Sequence, residues 1–329
     1  MKTNWLMAII IPVVLALVIA ASAGLVPGPL SPARVQAEGL VFTDNFNDNI
    51  INPFTWIIRN GGGPTVAETN GRLEVLLPKT STGEIFGGSI YSRCTLRGDV
   101  DIQVDYSLLD WPFNNGVRVG LLLSDRDPAL ATGITLPGAT ERVSEEEYGY
   151  EVYLTNFADG VRGVVATTDS SGKLRLVRVG ETITGYYFSS GAWVPIHTGP
   201  SSPNDVLFIL QAWSHEAIFP DQDVRIAFDN LVVTEGQLVC PSPQARLTQS
   251  VSFIQGLTQL NQGEQNSPIV KLNAALTSID GGNQAAACGQ LGAFINEVEA
   301  LVRSKRLDQA TGDILIGEAR GITTALGCS

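Results

Sequence analysis

Apolar and polar residues alternate through most of the stretch from residue 41 to residue 235. In residues 100–106 (VDIQVDY) the alternation is strict, which is typical of a strand with one buried face. Turn-forming pairs such as Asn70-Gly71 and Ser190-Gly191 separate these segments. No helical periodicity interrupts them, so we predict an antiparallel sandwich with strands at residues 100–106, 117–123, 150–154, 164–168, 174–179, 183–188, 206–213 and 224–234.

The pattern changes after the Pro-rich joint at residues 240–243 (CPSP). Aromatic residues become rare, and apolar residues recur at three- and four-residue steps, most clearly along residues 291–302. This periodicity predicts a small helical bundle with helices at residues 244–261, 266–279, 283–304 and 308–326. Asn283 is the expected N-cap of the third helix. Pro268 is expected in the first turn of the second helix, after Ser267 as its cap.

The first 37 residues have the layout of a secretory signal. Lys2 precedes an apolar run at residues 5–21, and small residues follow at 21–23. A second small-residue site at residues 35–37 is the alternative cleavage point, and an uncleaved run would tether the chain to a membrane. We therefore predict an exported protein, secreted or attached to the cell surface. Its expected parts are a signal peptide and leader at 1–37, a sandwich at 38–236, a linker at 237–243 and a helical domain at 244–329.

Charge is unevenly distributed between the two regions. Residues 38–240 contain 13 Lys and Arg against 26 Asp and Glu, a net charge of −13, whereas residues 241–329 contain 6 against 7. An acidic surface repels the phosphate backbone, so we expect no nucleic-acid partner. Acidity favours solubility outside the cell and leaves carboxylates free for calcium.

Four cysteines in an exported chain permit disulfides. There is no CxxC spacing and the chain has only two histidines, which disfavours a zinc site. Antiparallel packing of the third and fourth helices would bring Cys288 beside Cys328, and we predict that bond. Cys240 is the competing partner, because the first helix begins at the same end of the bundle. In the preferred pairing, Cys240 bonds Cys94 or stays free.

Several short motifs follow one another in a characteristic order along the sandwich. They are residues 44–48 (DNFND), Trp56, residues 70–75 (NGRLEV), 178–180 (RVG), 191–193 (GAW) and 228–233 (FDNLVV). This order resembles that of the concanavalin A-like lectin/glucanase superfamily over roughly residues 41–235. The resemblance implies a mainly β, antiparallel jelly-roll sandwich. The superfamily includes lectins, carbohydrate-binding modules, adhesive domains and hydrolases, so the fold alone assigns no function.

The helical segment also carries matching stretches, at residues 271–275 (KLNAA), 282–283 (GN) and 290–298 (QLGAFINEV). They resemble the FIMAH domain of secreted bacterial proteins. That resemblance implies export and a modular chain, and it implies no chemistry.

Carbohydrate sites combine aromatic faces, which stack on sugar rings, with planar polar side chains that bind hydroxyls. If the apolar residues of strands 117–123, 150–154 and 206–213 face the core, the alternate side chains face outward. The predicted carbohydrate site on the concave face of the sandwich is then Arg118, Glu151, Tyr153, Gln211 and Trp213. The alternative is that Tyr153 and Trp213 only cap a shallow edge of the core.

A structural Ca²⁺ ion is predicted where the first and last strands of the sandwich meet. Asp44, Asn47 and Asp48 are oxygen ligands close in sequence, and Asp229 lies in the closing strand. The alternative is turn chemistry, because Asn and Asp favour turns without a metal.

Acidic residues suited to glycoside hydrolysis are weakly placed. Glu145, Glu146 and Glu147 are consecutive and are expected in a solvated loop, so they do not form a pair on one strand face. The series Asp99, Asp101, Asp105 is interrupted by Gln103 and is expected to face solvent. We thus expect no catalytic residues.

The sequence is interpreted as a carbohydrate-binding or adhesive protein whose partner is a glycan or cell-surface polysaccharide. A glycoside hydrolase-like enzyme and a self-assembling structural subunit of the cell surface remain the alternatives.

Overall fold

The computed structural model describes residues 40–125, 138–215 and 219–328. Within them the alternating segments form two antiparallel sheets and the C-terminal segment forms four helices, as predicted. The expected signal and leader lie outside the described residues. In the described parts of the chain, no helix is both long and apolar enough to cross a bilayer.

One sheet contains eight strands within the described residues. They are β1 (Phe42–Asp44), β3 (Thr65–Thr69), β4 (Arg72–Leu77), β6 (Thr95–Asp110), β11 (Ser171–Val179), β12 (Thr182–Ser189), β13 (Ala192–Pro200) and β15 (Val224–Val239). Their order is β13-β12-β11-β6-β15-β4-β3, and β1 pairs with β15. The first and last strands therefore pair as expected, with Asp44 opposite Leu231.

The other sheet contains seven described strands. They are β2 (Trp56–Gly61), β5 (Phe86–Ser92), β7 (Val117–Ser124), β8 (Gly138–Glu145), β9 (Tyr150–Phe157), β10 (Arg162–Ala166) and β14 (Leu207–Ser214). Their order is β10-β9-β8-β7-β14-β5-β2.

The main core lies between the two sheets, and β6 shows how the sequence places it there. Val100, Ile102, Val104 and Tyr106 are at most 1% exposed and belong to this core. The polar residues between them face away from it. Removing these apolar side chains from water, at about 25 cal/mol per Å² of apolar surface, is the main stabilising contribution to the sandwich.

The C-terminal helices are α1 (Pro243–Gln255), α2 (Gln262–Asp280), α3 (Gln284–Arg303) and α4 (Gln309–Ala325). Asn283 caps α3 as predicted, because its side chain accepts a hydrogen bond from the backbone N–H of Ala286. The predicted start of α2 is wrong, since Pro268 lies inside this helix. Asn261 and Glu264 form a reciprocal capping box that satisfies free backbone N–H groups and starts the helix earlier.

Two disulfides are present among the described residues. Cys288 bonds Cys328, with 5.8 Å between the Cα atoms, which confirms the predicted pair. Cys94 bonds Cys240, so the alternative partners of Cys240 are eliminated. The second bond links the sandwich covalently to the residue three positions before α1.

Side-chain contacts also join the helices to the sandwich. Phe54 belongs to the core of the helical bundle and packs edge-on against Phe253, with 5.4 Å between ring centroids. Gln249 Nε2 donates a hydrogen bond of 2.8 Å to the carbonyl of Pro53. Phe54, in the loop before β2, therefore contributes to the core of the helical bundle.

Candidate functional site

Three of the five residues predicted to bind carbohydrate share the outer face of the seven-stranded sheet. Arg118 lies on β7, and Gln211 and Trp213 lie on β14. The apolar residues that alternate with them are buried in the core between the sheets, so these three side chains face outward. The strand register places Trp213 directly opposite Arg118. We name this surface, which contains Arg118, Gln211 and Trp213, face B.

A groove with a volume of about 850 Å³ lies on face B, along β2, β5 and β14. Gly87 on β5 leaves room for it, because a Cβ atom at this position would come within 2.7 Å of the Trp213 Cβ. Trp213 therefore forms part of the groove where β14 passes the glycine. The polar and aromatic side chains in its lining are Arg59, Asn60, Phe86, Ser89, Gln211 and Trp213.

Arg118 holds the indole of Trp213 in place. Its guanidinium lies 4.7 Å from the centre of the Trp213 ring and 5.0 Å from that of Tyr148. The same group donates two hydrogen bonds to Glu145, of 2.8 and 2.6 Å. This bidentate pair is buried, so the arginine is fixed between two rings and a carboxylate.

Glu141 on β8 is a buried carboxyl of face B that sequence reasoning missed. It is 3% exposed, and Trp213 Nε1 donates a weak hydrogen bond of 3.4 Å to it. Burial raises the pKa of Glu141, and the positive charge of Arg118 only partly opposes this. The available signal was the alternation of Glu141, Val143 and Glu145 along one strand face.

The predicted solvated loop at residues 145–147 is wrong for its first member. Glu145 is the last residue of β8, is 3% exposed and pairs with Arg118. Glu146 and Glu147 follow in a 3₁₀ turn, where Glu147 is exposed and pairs with Arg162. Glu145 is buried and Glu147 is exposed because Arg118, on the neighbouring strand β7, gives Glu145 a buried partner of opposite charge.

The predicted outward orientation of Tyr153 on β9 is wrong. Its ring is buried in the core and stacks on Tyr187, with 4.5 Å between centroids. The Tyr153 hydroxyl bonds to the hydroxyl of Tyr106 and to Asp169 Oδ2, both at 2.8 Å. We predicted Val152 and Leu154 in the core between the sheets, but they pack with Val143 in a separate cluster. The prediction fails because β9 has apolar residues on both faces.

Glu151 also faces the inside of the sandwich, so it does not join face B. Its carboxylate pairs with the buried Arg142 and accepts hydrogen bonds from Ser144 Oγ at 2.8 Å and from Trp111 Nε1 at 3.2 Å. These contacts compensate a buried arginine between the sheets. Glu151 therefore has a structural role in this arrangement.

Three of the four residues predicted to bind calcium accept hydrogen bonds from the protein itself. The Asp44 carboxylate accepts hydrogen bonds from Trp56 Nε1 and from the backbone N–H of Phe46, and Asp48 accepts one from Ile50. Asp229 accepts a hydrogen bond from the N–H of Asn230. Across residues 40–125, 138–215 and 219–328, no three His, Cys, Asp or Glu side chains form a group that could hold a metal. Such hydrogen bonds are typical of the turn alternative, and the calcium site stays a prediction.

An exposed aromatic pair extends face B beyond β8. Tyr150 lies opposite Glu145, and Phe113 stacks on its ring with 5.4 Å between centroids. Phe113 is 74% exposed, and Tyr150 has a φ of 71°, which is rare for a residue with a bulky side chain. Three strand spacings, about 14 Å, separate β9 from β14.

Comparison with known proteins finds solved structures with a similar fold but no matching family. No protein-family model matches the sequence, and neither does any curated protein. LamAcat from Zobellia galactanivorans is 12% identical, with a TM-score of 0.45 over 60% of this chain and 97% of that chain. The β-glucanase of Bacillus licheniformis is 15% identical, with a TM-score of 0.44 over 60% and 99%. The exoplasmic/lumenal domain of VIP36 in its Ca²⁺/Man2-bound form is 11% identical, with a TM-score of 0.40 over 55% and 80%. At these levels of likeness, no function follows from any of them. The resemblance of the helical bundle to the FIMAH domain stays a prediction.

Proposed function

We propose that this protein is an extracellular carbohydrate-binding protein that holds a glycan in the groove of face B. The observation that carries the proposal is the half-buried indole of Trp213 in the groove wall, fixed from behind by Arg118. A preorganised aromatic ring stacks on a sugar without losing conformational freedom on binding.

The polar side chains around Trp213 support the same function. Gln211 and Asn60 line the groove with planar amides, which donate and accept hydrogen bonds at once. Sugar hydroxyls have the same double capacity, so amides suit them as partners. The two disulfides fit an oxidising extracellular compartment.

Hydrolysis is the second candidate, and it rests on the two carboxyls of β8. Glu141 and Glu145 share face B, and the pKa of Glu141 is raised by burial, as a general acid requires. Neither carboxyl lines the groove, however, and Glu145 is engaged by Arg118. A glycan lying in the groove would therefore not contact either group, which favours binding over catalysis.

A glycan array of the intact chain, followed by incubation with every bound polysaccharide, tests both functions. We expect binding and no release of reducing ends. Turnover that disappears in Glu141→Gln or Glu145→Gln would replace the binding function with hydrolysis. Absence of binding to all glycans would contradict both and favour a structural surface subunit.

A further inference from the structure

Arg59 differs from the other arginines of the sandwich. It lines the groove of face B, and its guanidinium lies 5.9 Å from the centre of the Tyr91 ring. This guanidinium forms no hydrogen bond or ion pair with any described residue, and its Nε is buried. In the described part of the sandwich, each of the other arginines has a carboxylate or a backbone carbonyl as partner, namely Arg72, Arg93, Arg97, Arg118, Arg142, Arg162, Arg175, Arg178 and Arg225.

This isolation does not reflect a shortage of acidic residues. The chain contains 33 Asp and Glu against 21 Lys and Arg, and its net charge is −12. Arg59 lines the groove, so an oxygen of a bound ligand would supply its guanidinium with the acceptor that the described protein does not provide. A guanidinium is also the side chain whose fork matches two oxygens of one anion.

Arg59 is the charged residue of the groove. Among the described residues that line it, no other carries a charge. Two nearby carboxyls lie outside the lining: Glu145 is paired with Arg118, and Glu141 is buried with a raised pKa. The groove of an acidic protein thus presents a single positive group to its ligand.

The strand register places this charge within reach of a sugar stacked on Trp213. Arg59 lies opposite Ser89, and Ser89 lies opposite Gln211, the residue two positions before Trp213. Two strand spacings, about 10 Å, therefore separate β2 from β14. A glycan crossing the groove would meet the indole on one side and the guanidinium on the other.

We propose that the glycan bound by face B is anionic, and that Arg59 binds its carboxylate or sulfate group. The inference rests on the proposed function and names the class of its ligand. A uronate offers a planar pair of oxygens and a sulfated sugar offers a tetrahedral set, so both are compatible with the fork.

Calorimetric titration of the intact chain with three hexasaccharides tests this inference. One is a uronate, one is sulfated and one is neutral. We expect one of the two anionic ligands to bind at least about tenfold more tightly than the neutral one, and Arg59→Gln to remove that preference. Arg303→Gln makes the same charge change on an exposed face of α3 and should leave all affinities unchanged.

The outcomes separate the inference from the proposed function. Equal affinity for the neutral and anionic ligands, or an equal loss of both in Arg59→Gln, overturns the anionic assignment and leaves glycan binding intact. No binding of any of the three, together with an empty glycan array, overturns both. If Arg59→Gln lowers the melting temperature, Arg59→Lys decides: a smaller anionic-to-neutral affinity ratio supports the fork, and an unchanged ratio overturns it.

Discussion

Trp213 occupies two environments at once, because one face of its ring meets Arg118 and the residue also forms a wall of the groove. Gly87 on the adjacent strand makes this position accessible, since any side chain there would collide with Trp213. At the scale of single residues, face B thus depends on the ring of Trp213, on the guanidinium of Arg118 that contacts it, and on the lack of a side chain at Gly87. The stacking surface is thus built on the strands β7 and β14.

The exposed pair of Phe113 and Tyr150 should act only on long ligands. We expect Phe113→Ala to lower the affinity for long oligosaccharides by about threefold to tenfold, because a stacking ring is lost. Short oligosaccharides held at the groove should bind unchanged, since about 14 Å separates the two places. Titration with a chain-length series measures this. Val179→Ala, another exposed apolar position, is the control, and equal losses for short and long chains would contradict the expectation.

Glu68 should make stability depend on pH. Its pKa is raised from 4.5 to about 7, first by burial and then by its hydrogen bond to Asp48 and the negative charges of Asp48 and Asp44. The folded state therefore binds this proton more tightly than the unfolded chain. The stabilisation is complete below pH 4.5 and is lost as the pH rises through about 7.

Glu68→Gln tests that dependence, because glutamine keeps the acceptor for the N–H groups of Asp48 and Asn49 but does not titrate. Denaturant unfolding across this pH range should show the wild type losing stability relative to the variant as the pH rises. The exposed Glu84→Gln is the matched control. Parallel curves for the wild type and Glu68→Gln would rule out the proposed titration.

At the scale of elements, the strands that could be predicted are those with one apolar face. Residues 100–106 of β6 alternate strictly, and the buried residues among them are those that the pattern indicated. β9 does not, because Val152 and Leu154 are covered on the outer side of the sheet while Tyr153 enters the core. When both faces of a strand are buried, alternation does not show which face points into the core between the sheets. For that reason Tyr153 and Glu151 were wrongly included in the predicted carbohydrate site.

Partners distant in sequence account for the other differences. Glu145 is buried only because Arg118 on the neighbouring strand meets it, and no local pattern contains that information. The cysteine pair of the helical bundle was predictable, since two antiparallel helices bring Cys288 and Cys328 to the same end. Local geometry could thus be predicted, and side-chain partners across strands could not.

The bond between Cys288 and Cys328 should stabilise the helical bundle. It closes a loop with a sequence separation of 40 residues. Replacing both cysteines by serine should lower the free energy of unfolding by about 3–4 kcal/mol in the chain-entropy model. Denaturant unfolding of the double variant measures this. Reducing agent should destabilise the wild type more than the double variant, which keeps only the bond between Cys94 and Cys240. A double variant as stable as the wild type would contradict the expected role.

The helical bundle should fold as the fragment of residues 241–329. Its core is formed mainly by its own helices, and Phe54 is the residue of that core that the sandwich supplies. We expect a helical far-UV circular dichroism spectrum and cooperative melting, at a lower temperature than in the intact chain. A spectrum dominated by coil would show that the bundle depends on the sandwich.

At the scale of the whole molecule, the acidic sandwich carries the groove of face B, whose described lining has a single charged residue, and the helical bundle packs on the sandwich through Phe54 and Gln249. The bundle takes no part in the groove, because none of the groove's lining residues belongs to it. The groove and the helical bundle therefore belong to separate parts of the chain. The two buried carboxyls of β8, Glu141 and Glu145, lie outside the lining of the groove.

The central claim is that face B binds the glycan through Trp213. The most direct test compares the affinities of the intact wild type, Trp213→Ala and Trp193→Ala for one glycan selected on the array. Trp193 is a matched control, because it is a half-buried tryptophan that also contacts an arginine, Arg175, and it lies on the other sheet. We predict that Trp213→Ala weakens binding by about 1–2 kcal/mol and that Trp193→Ala leaves it unchanged. Unchanged binding in Trp213→Ala, or a loss in Trp193→Ala alone, would contradict a glycan site on face B.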